Sequence, residues 1–433
     1  MKKNIVLSDG DKLKEIRRKY GLKQEEITGS EITRNLISEI ETNKASITKK
    51  TAEVVIKNLT ALAKKRRFEV DETVDYLMEN QIVQANKALD NYIEELNTLS
   101  ISKGDSFIKT LKEAESFLID WDIKDKKLKI YKIAGDYYCN NNEMYKGAVY
   151  YEKALALINR VFLDRELIPL SRKLSMVYVY IGDYKKSIEC CEFILNRFDD
   201  ISVNDKVIFT YNNALSYFYM NNFEKTLQNL EISEKLVDRN DNLKLFKILD
   251  SKAVCLCSMK RYSEALQVFD ELISLVKSNY VDRYVTVLLN IVNVYLDMQE
   301  KDKALENFNC VIERLNSVNN DSPYLSEIYF HVGKFYRSFG NEEKSEQFYS
   351  KALNLCEKQK NYVLENDILC DLIEMYTVEN KVKEMNSIKY TLFSLFNKQG
   401  NINHMLVHKL VLFYIDNNVE TAKELINFVL KTN

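Results

Sequence analysis

The polar side chains best suited to specific recognition chemistry lie close together near the start of the chain, at Thr33, Arg34, Asn35 and Ser38. An Arg side chain presents N–H donors that match O6 and N7 of guanine, and an Asn amide matches N6 and N7 of adenine. Thr and Ser can reach a phosphate or a thymine methyl group. If Thr33 caps a helix, the other three point outward and the apolar residues between them are buried. This helix is therefore a candidate for reading the edges of base pairs.

Cap and turn residues predict that this helix is the third of four. A polar cap begins each helix and a glycine or asparagine ends it, which is the usual punctuation of short helices. The residues in question are Ser8, Asp9, Gly21, Gln24, Gly29, Thr33 and Asn43, and the fourth helix is expected at about residues 48–59. Gln24 and Lys44 flank the third helix, where they would contact phosphates and position it on a duplex.

The charge of the chain is divided unequally between its two ends. Residues 1–70 carry 17 Lys and Arg against 10 Asp and Glu, whereas the remainder carries 45 against 54. A basic head on an acidic body favours contact with a nucleic acid at one end only. The spacing of LKEIRRKYGLKQEEI and ISEIETNK resembles the Xre/Cro/C1-type helix-turn-helix family over residues 11–59. The resemblance implies a DNA-binding domain, although Gln24 to Glu41 is one residue shorter than usual.

A second pattern recurs through the rest of the chain with a period of about 40 residues. In two stretches, residues 131–154 and 329–352, a Tyr, a Gly and a second Tyr are followed by a small residue, Tyr and Ala at fixed spacing. The second Tyr recurs at spacings of 40, 39, 39, 39, 41 and 40, as Tyr138, Tyr178, Tyr217, then Leu256, Tyr295, Tyr336 and Tyr376. Only 2 Pro and 10 Gly occur in 433 residues, which favours continuous helix.

This pattern resembles a tetratricopeptide (TPR) array, although its period exceeds the ~34 residues of the standard unit. We therefore expect an all-α fold, with an N-terminal helix-turn-helix domain followed by a right-handed TPR α-solenoid. The expected divisions are a head at 1–70, a linker helix and degenerate first repeat at 71–122, seven repeats at 123–400 and capping helices at 401–433.

In TPR arrays the first helix of each pair lines the concave face, where peptides bind. Placing this chain's helices in that way turns nine side chains inward: Arg172, Tyr211, Asn212, Asp250, Asn290, Asn293, Asp297, Lys334 and Arg337. Asn amides match the donors and acceptors of an extended peptide backbone. Basic side chains would hold a peptide carboxylate and acidic ones an amino end.

The remaining reactive residues give no sign of catalysis. The eight Cys form no CxxC pair, so we expect small apolar residues in a reducing compartment. His404 and His408 share a helix face, but Met405 stands where a metalloprotease has its glutamate. We expect no enzyme activity, no metal and no cofactor. Neither a signal peptide nor an apolar run approaching 18 residues is evident, which predicts a cytoplasmic protein without a membrane span.

A head of this kind followed by a TPR array of this period resembles the RRNPP family of peptide-sensing regulators of Gram-positive bacteria. The resemblance implies a homodimeric transcription factor that binds a palindromic operator and is controlled by a short signalling peptide in the groove. Four alternatives remain. They are a phage regulator of the arbitrium kind, a regulator whose body binds a protein or only dimerises, a Rap-like regulator of a response-regulator protein, and an enzyme.

Overall fold

The computed structural model describes residues 5–101, 104–159, 164–276, 280–399 and 403–432. Within these ranges the regular structure is entirely α-helical, as the sequence predicts. No helix in the same ranges is long and apolar enough to cross a bilayer. The chain forms two compact units, one from the described parts of residues 1–141 and 146–159, the other from residues 142–145 and the described parts of 160–433.

The first unit begins with four helices, α1 to α4, at Asp9–Lys19, Gln24–Thr28, Arg34–Glu41 and Lys49–Arg66. The expected caps are present: Ser8 Oγ accepts the N–H of Asp11 at 3.1 Å, and Thr33 Oγ1 accepts the N–H of Leu36 at 3.3 Å. Their apolar faces form one core that includes Leu13, Ile16, Ile27, Ile37, Ile40 and Leu59.

The fourth helix is longer than the sequence pattern predicts, because it continues from residue 59 to Arg66. Neither Gly nor Pro interrupts it, and Lys64, Lys65 and Arg66 occupy its last turn, where positive charge favours the helix dipole. It ends where Arg67 adopts a left-handed conformation with φ of 61°.

The region at residues 71–122, where the sequence predicts a linker helix and a degenerate first repeat, begins with two helices, α5 (Val74–Met78) and α6 (Gln81–Leu99). The break occurs because Asn80 acts as a cap and accepts the N–H of Val83 at 2.9 Å. The apolar pattern continues across this cap, which is why periodicity alone missed it. Two helices follow α6, α7 (Asp105–Asp120) and α8 (Lys124–Asn140), and all three share a core that includes Leu89, Leu96, Phe107 and Leu111.

Seven helix pairs with a similar turn, beginning with α8 and α9 (Met144–Ala156), are followed by one further pair within the described residues. The second unit holds α10 (Leu167–Ile181), α11 (Tyr184–Arg197), α12 (Val203–Tyr219), α13 (Phe223–Leu236), α14 (Asn242–Ser258), α15 (Tyr262–Val276), α16 (Val281–Asp297), α17 (Lys301–Leu315), α18 (Leu325–Ser338), α19 (Glu342–Gln359), α20 (Tyr362–Val378), α21 (Val382–Gln399), α22 (His404–Asn417) and α23 (Val419–Thr432). Gly333 shows why small residues recur, because a Cβ there would lie 2.6 Å from the Tyr349 ring.

The turn inside each of the seven pairs contains one residue with positive φ. These residues are Asn142, Gly182, Asn221, Lys260, Gln299, Gly340 and Asn380, with φ between 52° and 80°. Each lies four residues after the recurring aromatic position, so the turn keeps the same 39- to 41-residue register. A left-handed residue directly after a helix is a common way to end it. Two of the seven are Gly and three are Asn, which adopts this conformation more readily than most residues, so Lys260 and Gln299 are the two that adopt it against the preference of their side chains.

Candidate functional site

The helix α3 presents the side chains predicted to read bases on an open surface. Arg34 and Asn35 are exposed, Thr33 caps the helix, and Ser38 is half-buried. The Arg34 guanidinium lies 3.0 Å from the Glu25 carboxylate of α2, with both side chains more than 60% exposed. Such an exposed ion pair contributes only about 0–1 kcal/mol. Arg34 can therefore exchange Glu25 for another acceptor at little cost.

A buried carboxylate joins the first three helices beneath this surface. Glu41 is 4% exposed and accepts Arg17 Nε at 2.8 Å, Arg17 Nη2 at 3.1 Å and Gln24 Nε2 at 2.8 Å. Burial raises the pKa of Glu41, but the hydrogen bonds from Arg17 and Gln24 outweigh it and hold the pKa below its usual value. Gln24, predicted to contact a phosphate, is thus oriented by Glu41. Lys44 is exposed in the loop after α3.

Several of the residues predicted to line a groove in the second unit occupy equivalent positions in successive helix pairs. Five side chains recur at spacings of 39, 39, 40 and 41 residues on the first helices of successive pairs, namely Arg172, Tyr211, Asp250, Asn290 and His331. Two neighbours of this column are directly joined, because Asn290 Nδ2 donates to Asp250 Oδ1 at 3.2 Å. Tyr211 also hydrogen-bonds Ser251 at 3.1 Å. Hydrogen bonds thus join α12, α14 and α16 along this column, and His331 continues its register on α18.

Electrostatic interactions indicate that acidic side chains from several helices lie near this column. Burial, followed by the charge of Glu327, raises the pKa of Asp250 to about 7. Burial and then the same carboxylate raise the pKa of Tyr219, which Asp367 also influences. Glu327 of α18 thus acts on α12 and α14, although it lies at least 77 residues away along the chain.

Glu327 and His331 are desolvated by the surrounding protein, although both side chains are still partly exposed to water. The Glu327 side chain is 49% exposed, but desolvation raises its pKa. Burial, followed by the charge of Lys334, lowers the pKa of His331 to about 4, so this imidazole is neutral near pH 7. Both pKa shifts thus come first from burial, although the Glu327 carboxylate still reaches water.

The structure places the other predicted groove residues differently. Asn212 is 5% exposed and donates to Ser175 Oγ at 2.9 Å, so its amide is occupied between α10 and α12. It lies one residue from the Tyr211 column, and a step of one residue turns a helix by about 100°. The prediction that Asn212 faces the groove is therefore not supported by its position. Arg172 already forms an ion pair with Asp205 at 2.9 Å.

The remaining predicted residues lie toward the ends of α16 and α18. Asn293 is half-buried, and Asp297 and Lys334 are exposed. The guanidinium of Arg337 donates to the carbonyl oxygen of Asp371 at 3.3 Å and lies 3.6 Å from Glu374. Sequence reasoning did not single out Tyr219, Glu327 and Asp367, and it expected His331 to pack or to line the groove without assigning it a role. The 39- to 41-residue register would have revealed His331, since it continues the column of Asp250 and Asn290.

These features define a protein with a small four-helix head and a body of TPR-type helix pairs. A tetratricopeptide-repeat family model matches residues 283–358. No curated protein sequence matches the chain. Among solved structures, the apo form of the quorum sensor NprR from B. thuringiensis is similar with a TM-score of 0.53 and 13% identity, over 84% of this chain and 97% of that one. This likeness shows a shared fold.

Two further solved structures are similar at lower scores. A Rap protein complexed with Competence and Sporulation Factor has a TM-score of 0.48 and 16% identity, over 92% of this chain and 99% of that one. Aspartyl phosphate phosphatase F from Bacillus subtilis has a TM-score of 0.49 and 16% identity, over 92% of this chain and 97% of that one.

Proposed function

We propose that this protein is a cytoplasmic transcriptional regulator of the RRNPP type, a homodimer that binds operator DNA through α3. A short signalling peptide in the TPR groove controls it. The observation that carries the proposal is the combination of an exposed Arg34 and Asn35 on a capped helix with a separate column of polar side chains on the repeat helices. The fold shared with a quorum sensor supports the same assignment. The proposal contains no catalytic step.

The head supplies the chemistry for recognising a duplex. A helix of the size of α3 fits the major groove, where Arg34 can donate to guanine and Asn35 can pair with adenine. Thr33, Ser38, Gln24 and Lys44 would then position the helix through phosphates. In a homodimer, two heads about one helical turn apart would read a palindrome.

The groove supplies the chemistry for recognising a peptide. Asn290 and Asn293 share one face of α16, and their amides match the peptide backbone. Asp250 and Glu327 together favour a cationic group, because a positive charge would relieve the repulsion between the two carboxylates. Binding would alter the placement of the heads if the two conformations of the dimer differ in peptide affinity.

A DNA titration tests the head and the groove separately. The purified protein is titrated onto the DNA upstream of its own gene, with and without a low-molecular-weight extract of spent culture medium. Arg34→Ala should weaken specific binding by about 1–3 kcal/mol and relax one base preference. Arg18→Ala is the matched control, since it removes the same charge from an exposed position on α1. Equal base preference in the Arg34→Ala variant and the wild type would contradict the proposal for α3.

The groove is tested in the same titration with Asn290→Ala. This variant should lose the response to the extract while binding DNA normally without it. A wild-type response to the extract in this variant would contradict the assignment of Asn290. Binding that ignores the extract altogether would instead favour a body that binds a protein or serves only for assembly.

A further inference from the structure

A lysine is fully buried at the start of α1, where charged residues are rarely found. Lys12 is 0% exposed, and its Nζ donates to the carbonyl oxygen of Tyr76 at 2.9 Å and to the carbonyl oxygen of Glu79. Both acceptors lie 64 or more residues further along the chain. Lys12 therefore uses its charge to hold a distant segment of backbone.

The two carbonyl groups lie at the C-terminal end of α5. The last carbonyl groups of a helix have no partner within the helix and carry partial negative charge. Here Glu79 ends α5 in an extended conformation, so the chain cannot satisfy these groups by continuing the helix. The ammonium group of Lys12 satisfies them and also lies 5.4 Å from the centroid of the Tyr76 ring. Apolar packing reinforces the contact, since Leu77 of α5 is 1% exposed within the core of the head.

A glutamine in the first turn of α6 makes a second connection to the head. Gln84 Oε1 accepts the N–H of Leu7 at 3.0 Å, and Gln84 Nε2 donates to the carbonyl oxygen of Leu7 at 3.0 Å. The same Nε2 lies 3.1 Å from the carbonyl oxygen of Glu79, which Lys12 also contacts. The segment before α1, the end of α5 and the start of α6 thus meet at one hydrogen-bonded junction.

The far end of α6 belongs to a different core. Leu89, Tyr92 and Leu96 pack with α7 and α8, the helices that lead into the repeats. One helix of 19 residues therefore carries the head at its first turn and the repeat core at its later turns. The sequence predicts a linker helix and a degenerate first repeat at residues 71–122, and in the structure a hydrogen-bonded junction fixes the head to α6.

We propose that Lys12 and Gln84 are positioning residues that lock the head onto α6, so that α3 moves with α6. They contact no DNA themselves; they set the direction in which α3 points. The proposal deepens the proposed function, because a change in the repeats can reach α3 only if the head does not swing freely. The lock itself exists whether or not the head binds DNA, and it can be measured independently.

Hydrogen exchange on the full-length protein measures the lock directly. In Gln84→Leu and in Lys12→Met, amides of Leu7, α5 and the first turn of α6 should exchange at least tenfold faster. Amides of α3 and α4 should keep their wild-type rates, because the apolar core of the head remains. Lys50→Met, on the exposed side of α4, is the matched control and should change neither set. Unchanged exchange rates at α5 and α6 would overturn the proposal. Equal acceleration of exchange at α3 and α4 would also overturn it, because Lys12 and Gln84 would then contribute to the folding of the head as a whole.

A DNA measurement then separates positioning from folding. DNA half-sites selected for binding to the wild-type protein are presented singly and in pairs at several spacings. The wild type should bind every single half-site with similar affinity but discriminate strongly among the spacings of paired half-sites. Gln84→Leu should keep the single-site affinity and lose at least tenfold of the spacing discrimination. Retained discrimination would overturn the role of the lock. If no duplex binds even to the wild type, the proposed DNA function fails and the exchange result alone decides about the lock.

Discussion

The ammonium group of Lys225 lies 4.8 Å from the centroid of the Tyr217 ring, across the turn that joins α12 to α13. The same relationship, a lysine eight residues after the recurring aromatic, holds in four other helix pairs, at Tyr138 and Lys146, Tyr178 and Lys186, Tyr295 and Lys303, and Tyr336 and Lys344. The one repeat in which the aromatic is replaced by Leu256 has Glu264 at the position of the lysine. The last of the seven pairs keeps its aromatic, Tyr376, but has Glu384 at that position, and Lys381 lies 5.3 Å from the centroid of its ring instead.

The cation over the ring should stabilise its helix pair by a small, measurable amount. Lys225→Met removes the charge and keeps most of the side-chain length, so we expect a loss of about 0.5–1 kcal/mol, the usual value at an exposed cation–π contact. Urea unfolding of the variant measures it. Lys235→Met, on an exposed position of the same helix, should change stability by less. Equal effects of the two substitutions would show that the ring makes no contribution.

Substitution by glycine at a turn residue with positive φ should stabilise the protein, whereas glycine in the interior of a helix is destabilising. Gln299 has φ of 62°. Gln299→Gly removes a steric cost of about 1–2 kcal/mol from the folded state. Part of this gain is lost because glycine also gives the unfolded chain more backbone entropy. We expect a net gain in stability of up to about 1 kcal/mol and a higher Tm in calorimetry. Gly340→Ala should lower the Tm, because its φ of 73° strains any side chain. A lower Tm in Gln299→Gly would contradict this account.

The buried carboxylate of Glu41 should be among the most sensitive positions of the head. Glu41→Ala leaves Arg17 without its bidentate partner, and breaking a buried ion pair in this way costs about 3–5 kcal/mol. Because Arg17 is 23% exposed, we expect the lower end of this range. Since the pKa of Glu41 is lowered in the folded state, its contribution is present above the usual Glu pKa and is lost as the pH falls through the folded value. Circular dichroism melting of wild type and variant at pH 7 and pH 3 should therefore converge at low pH.

The carboxylate of Asp250 should give stability the opposite dependence on pH. Burial first, and then the Glu327 charge, raise its pKa to about 7, so the folded state binds a proton that the unfolded state has already lost. Stability should therefore fall as the pH rises from about 4 to about 7. Asp250→Asn should flatten this slope in unfolding experiments across that range. An unchanged slope would show that Asp250 titrates as an ordinary surface carboxylate.

Local signals in the sequence were sufficient to predict the helices and their order. Ser8 and Thr33 cap helices as expected, and the 40-residue register of the aromatics marks the turn in every pair. These features depend on neighbours a few residues apart, which sequence patterns record directly. Predictions were less accurate where a residue's partner is remote. Asn212 is turned toward Ser175, which lies 37 residues earlier in the chain. The break at Asn80 was missed for another reason, because its cap is local but the apolar pattern continues across it.

The sequence by itself determined the all-helical class, the basic head and the period of the repeats, because these follow from composition and from spacing along one chain. Only the tertiary structure decided that Glu41 joins three helices, that Lys12 holds the end of α5, and that Glu327 influences Asp250. The physical reason is that burial and Coulomb interactions depend on distance in space. Residues 24, 64 or 77 positions apart carry no local sign that folding will bring them together.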